Sequence, residues 1–76
     1  MTLDLLPIGQ KAVIKTVGGE GSLRYRLLDM GLIPKTTIRV EKVAPLGDPI
    51  ELRVRGYALS LRKEDARNIT VEVKQA

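Results

Sequence analysis

The sequence predicts a mainly β domain, a small barrel of five short strands with one short α-helix between the first and second. Three observations carry that prediction. Apolar and polar residues alternate in several short runs, most clearly where Ile50, Leu52 and Val54 oppose Glu51, Arg53 and Arg55. Helical spacing sustained over more than one turn occurs in residues 22–30. The connections are short and rich in Gly, Pro and Asp, as strand-to-strand turns require. Closing five strands on one core removes exposed sheet edges. A length of 76 residues leaves room for one domain, read as residues 1–76.

The elements follow in order. Leu3, Leu5, Leu6 and Ile8 are expected to clip the N-terminus onto the core, ahead of a turn at Gly9-Gln10. Residues 11–17 are rich in β-branched side chains and form the first strand. Ala12 and Ile14 share its inner face, and Val17 breaks the alternation, which places a bulge or strand end there. Gly18-Gly19 ends it. In residues 22–30 Ser22 is the expected N-cap, and Leu23, Leu27 and Met30 make one apolar stripe that Leu28 widens. Gly31 stops the helix at a position needing positive φ, Leu32 folds back toward Leu27, and Pro34 prevents the helix from resuming. Residues 36–43 alternate with Ile38 and Val40 inward, and residues 44–49 form a loop. The strand at 50–55 turns at Gly56 into another whose inward set is Tyr57, Leu59 and Leu61. Residues 63–66 suit one helical turn, and Ile69, Val71 and Val73 alternate in the last strand.

Composition excludes several function classes. Hydrophobic residues at 43% and charged residues at 29% describe a globular chain, not a disordered one. A chain this short buries only about 60% of its unfolded surface, so most Leu, Ile and Val residues are needed for the core. With no Cys there is no disulfide scaffold and no thiolate metal site. With no His the commonest transition-metal ligand and the commonest general base near neutral pH are missing. Ser22 and Ser60 therefore lack an activating histidine, and no phosphate-cradling GxxxxGK[ST] loop occurs. The nine carboxylates are dispersed, so no metal site and no cofactor site is expected. No apolar run approaches the roughly 18 residues of a membrane span. The first seven residues lack a basic region and a long apolar core, so no secretory signal is read there, and the cytoplasm is the expected compartment.

Three motifs carry a resemblance. They are Leu27-Leu28-Asp29-Met30-Gly31-Leu32-Ile33-Pro34, then Ala44-Pro45-Leu46-Gly47-Asp48-Pro49-Ile50, then Gly56-Tyr57-Ala58-Leu59-Ser60-Leu61-Arg62 with Ala66 and Ile69. Together they span almost the whole chain and resemble the FeoA family, ferrous iron transport protein A. The resemblance implies an SH3-like barrel. It also implies a non-enzymatic accessory role in iron homeostasis, with transition metal ion binding only as a family-level property. The implied partner is the cytoplasmic region of the membrane ferrous iron transporter FeoB, which carries a GTP-binding domain, and contact with the membrane would come through that transporter alone. Lys35 departs from the pattern, standing where the family usually has glycine. The same barrel resembles the C-terminal domain of iron-dependent repressors.

The expected partner-binding surface is the helix and its cap: Arg24, Arg26, Leu27, Leu28, Met30, Gly31, Leu32 and Pro34, with Tyr57 nearby. Methionine suits a docking surface because it is flexible and polarisable. Arg24 and Arg26 would form a basic rim that steers an acidic partner. The net charge of +4 leaves a rival open: a basic barrel that binds nucleic acid through Arg53, Arg55 and their neighbours, or a stand-alone regulatory domain. Single-strand binders stack bases on aromatic platforms, and this chain has two tyrosines and no Phe or Trp, so no nucleic-acid partner is expected.

Overall fold

The computed structural model describes residues 1–74. A 3-10 turn at Leu3–Leu5 precedes β1 (Lys11–Val17), α1 (Ser22–Asp29), β2 (Thr37–Val43), β3 (Ile50–Val54), β4 (Tyr57–Leu61), α2 (Lys63–Ala66) and β5 (Ile69–Val73). The five strands form one antiparallel sheet in the order β4-β3-β2-β1-β5.

Alternation places the core. Ala12, Ile14, Ile38, Val40, Ile50, Leu52, Val54, Leu61, Ile69 and Val71 line the inner face, and Leu3, Leu6, Leu27 and Leu32 complete the cluster from outside the sheet. Each large aliphatic side chain fully buried there contributes about 1.5–3 kcal/mol. Two bulges bend the sheet around this core. The β1–β5 register shifts between Ile14 and Thr16, making Lys15 the extra residue and returning Val17 to the inner face. The broken alternation at Val17 was therefore the trace of a bulge two residues earlier. A second shift, between Val40 and Lys42, leaves Glu41 unpaired in β2.

Closure is incomplete. Among the described residues β4 and β5 are the sheet edges, and no backbone pairing joins them. The gap is spanned by α2, which packs against the 3-10 turn. Asp48 in the β2–β3 loop accepts a hydrogen bond from the Lys63 amide at 2.9 Å, satisfying a donor at the start of α2. The outer edge of β5 is covered instead by the N-terminus, through a Thr2–Thr70 bridge and a Val71 amide bond to the Met1 carbonyl at 2.8 Å.

Four local expectations need correction. Ser22 is the first helical residue and not the cap. Gly21, at φ +53°, holds the cap position, and the Glu20 and Gly21 carbonyls accept the first helical amide bonds. Leu3 and Leu6 clip the N-terminus to the core, but Leu5 and Ile8 face solvent because the 3-10 turn presents only part of its circumference to the sheet. Tyr57 shares the inner face with its partner Val54 but is 42% exposed, since it leaves a two-residue hairpin at the rim of the sheet. Val73, at the far end of β5, is also partly exposed.

Two non-glycine residues adopt left-handed backbone. Arg55 (φ +48°) and Gly56 (φ +91°) are the central pair of the β3–β4 hairpin, as a type I′ turn requires. Lys35 (φ +74°) lies in the turn from α1 to β2, where its amide bonds to the Ile14 carbonyl at 2.7 Å. A left-handed residue with a Cβ is strained by about 1–2 kcal/mol. The turn thus keeps a glycine-type geometry while carrying a lysine. Lys35→Gly is expected to stabilise the domain by about 0.5–1 kcal/mol, after the extra backbone entropy of glycine is subtracted. Denaturant unfolding at pH 7 measures this. Leu27→Ala, by contrast, should cost about 2–5 kcal/mol in the same assay, because Leu27 is fully buried.

Candidate functional site

The C-terminus of α1 closes with two reverse bonds. The Gly31 amide reaches the Leu28 carbonyl at 3.0 Å, and the Leu32 amide reaches the Leu27 carbonyl at 3.2 Å. With Gly31 at φ +96° this is a Schellman cap. Leu32 and Leu27 are both fully buried, so the cap is anchored by the core beneath it. Tyr57 adds a second lock from β4. Its hydroxyl donates to the Met30 carbonyl at 2.6 Å, and a Cβ at residue 31 would overlap that same hydroxyl oxygen. Gly31 is therefore required twice, by its backbone and by the tyrosine beside it.

The expected partner-binding residues separate into groups. Leu27 and Leu32 are interior and shape the site without being able to touch a partner. Leu28 and Met30 are half-buried, packed on the core with one flank outward. Gly31 and Pro34 form the turn between them and β2. Arg24 and Arg26 are exposed but tethered. Arg24 Nε donates to the Val17 carbonyl at 3.1 Å, and Arg26 pairs with Asp65 at 3.2 Å. The basic rim is thus narrower than the sequence suggests, because Asp65 neutralises Arg26. Asp65 gave no local signal, being 39 residues from its partner. Two apolar residues extend the surface: Ile33, 36% exposed, and Tyr25, 67% exposed and one helical turn before Leu28. Beside them an open cavity of about 490 Å³ runs between α1, β4 and α2, lined by Arg26, Met30, Ser60, Leu61, Arg62, Glu64 and Asp65.

The basic strand face carries its own counter-charges. Arg39 and Arg53 stand directly opposite on β2 and β3, and Glu41 accepts from both, at 2.8 and 3.2 Å. Lys42 lies 4.0 Å from Glu51. The hydrogen bonds from Arg39 and then Arg53 hold the Glu41 carboxyl below its ordinary 4.5. Among the described residues no group of three or more Asp, Glu, His or Cys side chains could hold a metal ion, and no helix is long and apolar enough to cross a membrane.

Comparison with known proteins adds to this geometry. The FeoA domain family model matches residues 1–73. The chain belongs to the FeoA family. It is 47% identical over 73 residues to an Fe(2+) transport protein A/Fe(2+) transporter FeoB fusion protein of Porphyromonas gingivalis; the match covers 96% of this chain and 9% of that protein. The FeoA-like protein of Clostridium acetobutylicum superposes with a TM-score of 0.92 at 42% identity, covering 100% of this chain and 88% of the other. FeoA of Stenotrophomonas maltophilia, described as an SH3 domain protein and complexed with zinc, gives a TM-score of 0.83 at 26% identity over 95% of this chain and 89% of that one. FeoA is thus an SH3-like family linked to ferrous iron transport, and its domain is fused to the transporter FeoB in a relative of this chain.

Four outcomes check the site. Gly31→Val should lower helix content in circular dichroism, since it forces a β-branched residue into positive φ against Tyr57. Tyr57→Phe should cost about 0.5–1.5 kcal/mol in denaturant unfolding through the lost bond to Met30. Gly31→Ala should cost less in the Tyr57→Phe background than alone, and equal costs would show that the hydroxyl is not the obstruction. The fourth concerns pH. A depressed carboxylate contributes stability above its unfolded-state value and loses it as pH falls through the folded one. Stability curves of the parent and Glu41→Gln should therefore differ at pH 7 and converge below pH 4.5.

Proposed function

We propose that this FeoA-family chain is a non-enzymatic cytoplasmic accessory protein of ferrous iron uptake, binding the cytoplasmic region of a FeoB-type transporter through the capped end of α1. The observation that carries the reading is the fusion relative, in which a counterpart of this chain and the transporter share one polypeptide. Covalent linkage keeps two modules at high effective concentration, an arrangement that suits components working in contact.

The surface supports the same reading. Leu28, Met30, Ile33 and Tyr25 offer apolar flanks around a cap that cannot flex freely, because Gly31, Leu32 and Tyr57 hold it. A preordered surface loses little side-chain and backbone freedom on binding. Among the described residues Arg24 pairs with no carboxylate, and the net charge of +4 favours encounter with an acidic surface. Binding modulates the transporter only if the affinities for its two conformations differ. Ser60 faces solvent, and the sequence holds no histidine to activate it.

A binding measurement with the transporter's cytoplasmic region tests this. Leu28→Asp and Ile33→Asp are expected to weaken binding by about tenfold or more, the scale of a well-placed apolar anchor. Lys15→Gln, on the β1 side of the sheet, should bind as the parent does. Circular dichroism confirms that each variant is folded. Parent-like affinity in both aspartate variants overturns the assignment of the surface. An unchanged GTP hydrolysis rate and an unchanged iron uptake rate on addition of the chain overturn the modulating role.

A further inference from the structure

On the outer sheet face the strand register sets like charges in a row. Lys11 on β1 stands opposite Arg39 on β2, and Arg39 stands opposite Arg53 on β3. Directly opposed residues on antiparallel strands point to the same side, and like charges so placed oppose folding. Arg55 extends the row two residues beyond Arg53, held by a bond of 3.3 Å from its guanidinium to the Thr36 hydroxyl. These four cations, Thr37 and Ile38 line an open depression of about 270 Å³. Glu41 is the carboxylate that pairs with any of the four among the described residues. Lys11 and Arg55 have no carboxylate partner there.

We infer that this depression is a binding site for a phosphate group, such as that of an anionic lipid headgroup or a small soluble polyphosphate. The chemistry follows from the donors. Guanidinium groups present paired N–H bonds at the geometry of phosphate oxygens, and the lysine adds a point charge. The Arg53 and Arg55 side chains are braced, by Glu41 and the Gly56 carbonyl in one case and by Thr36 in the other, so the donors are gathered before a ligand arrives. Glu41 has two effects: it keeps Arg39 and Arg53 together in the free protein and competes with an incoming anion for their N–H groups. The site is compact and lacks aromatic platforms, which favours a single phosphorylated group over a run of nucleic-acid bases. It is separate from the α1 surface and does not depend on the transporter reading.

Titration of the full chain, followed by amide chemical shifts at low and at physiological salt, tests this. The probes are inorganic pyrophosphate and vesicles of phosphatidylglycerol, with phosphatidylcholine vesicles as the neutral control. Saturable pyrophosphate shifts centred on Lys11, Arg39, Arg53 and Arg55 support a soluble ligand. Binding confined to the anionic vesicles and mapping to the same residues supports a headgroup. Arg39→Gln and Arg53→Gln should each weaken binding by about fivefold, the scale of an exposed charge pair, whereas Lys15→Gln removes the same charge elsewhere and should change nothing. Glu41→Gln should strengthen binding, which a purely structural carboxylate would not do. Four results overturn the inference: no binding by either probe, shifts centred elsewhere, equal weakening by Lys15→Gln, and binding of a single-stranded oligonucleotide alone.

Discussion

The end of α1 is held by one small set of bonds around Gly31. Left-handed backbone there lets the Leu32 amide turn back to the Leu27 carbonyl, which drops Leu32 into the core beside Leu27. The same turn leaves the Met30 carbonyl pointing outward, where Tyr57 satisfies it from the opposite edge of the sheet. Helix, core and β4 are thus joined at one residue without a side chain. An eight-residue helix is too short to persist in water by its own propensity. Its orientation comes from this junction, and so does the position of every apolar group it offers to solvent.

Much of the architecture was legible because local chemistry and the global fold agree. The strands at 11–17, 36–43, 50–55 and 69–73, the single turn at 63–66 and the Gly31 stop all appear within a residue or so of their expected bounds. Alternation, glycine and β-branching are short-range signals, and here no tertiary contact overrules them. What the sequence did not disclose was set by distant partners. Tyr57 keeps the inward phase of β4, yet at the hairpin rim it stays partly exposed and reaches the Met30 carbonyl. Ser22 is a good cap by type, but the left-handed entry at Gly21 makes it redundant. Incomplete sheet closure is likewise non-local, since it depends on how α2 meets the 3-10 turn.

The candidate site was legible in part for the same reason. The apolar stripe and its cap are local, so Leu28, Met30, Gly31 and Pro34 fall where the spacing puts them. Burial of Leu27 and Leu32 follows from the cap geometry and removes them from the contact surface. The charges were harder to place. Pairing of Arg26 with Asp65, and of two opposed arginines with one glutamate at a bulge, depends on strand register and on α2 docking. A basic composition therefore describes the chain without describing either face of it. The helical side joins apolar flanks to Arg24 and to Arg26, the second paired with Asp65, and the strand side gathers four cations around one depression.

The Asp48 bond to the Lys63 amide binds the β2–β3 loop to α2, and two residues later Asp65 grips Arg26 on α1. Leu46, 97% exposed, sits at the tip of that same loop. The β2–β3 loop and α1 are therefore both tied to one four-residue element, α2. The exposed loop and the helix are thus linked through two carboxylates and a single turn of chain.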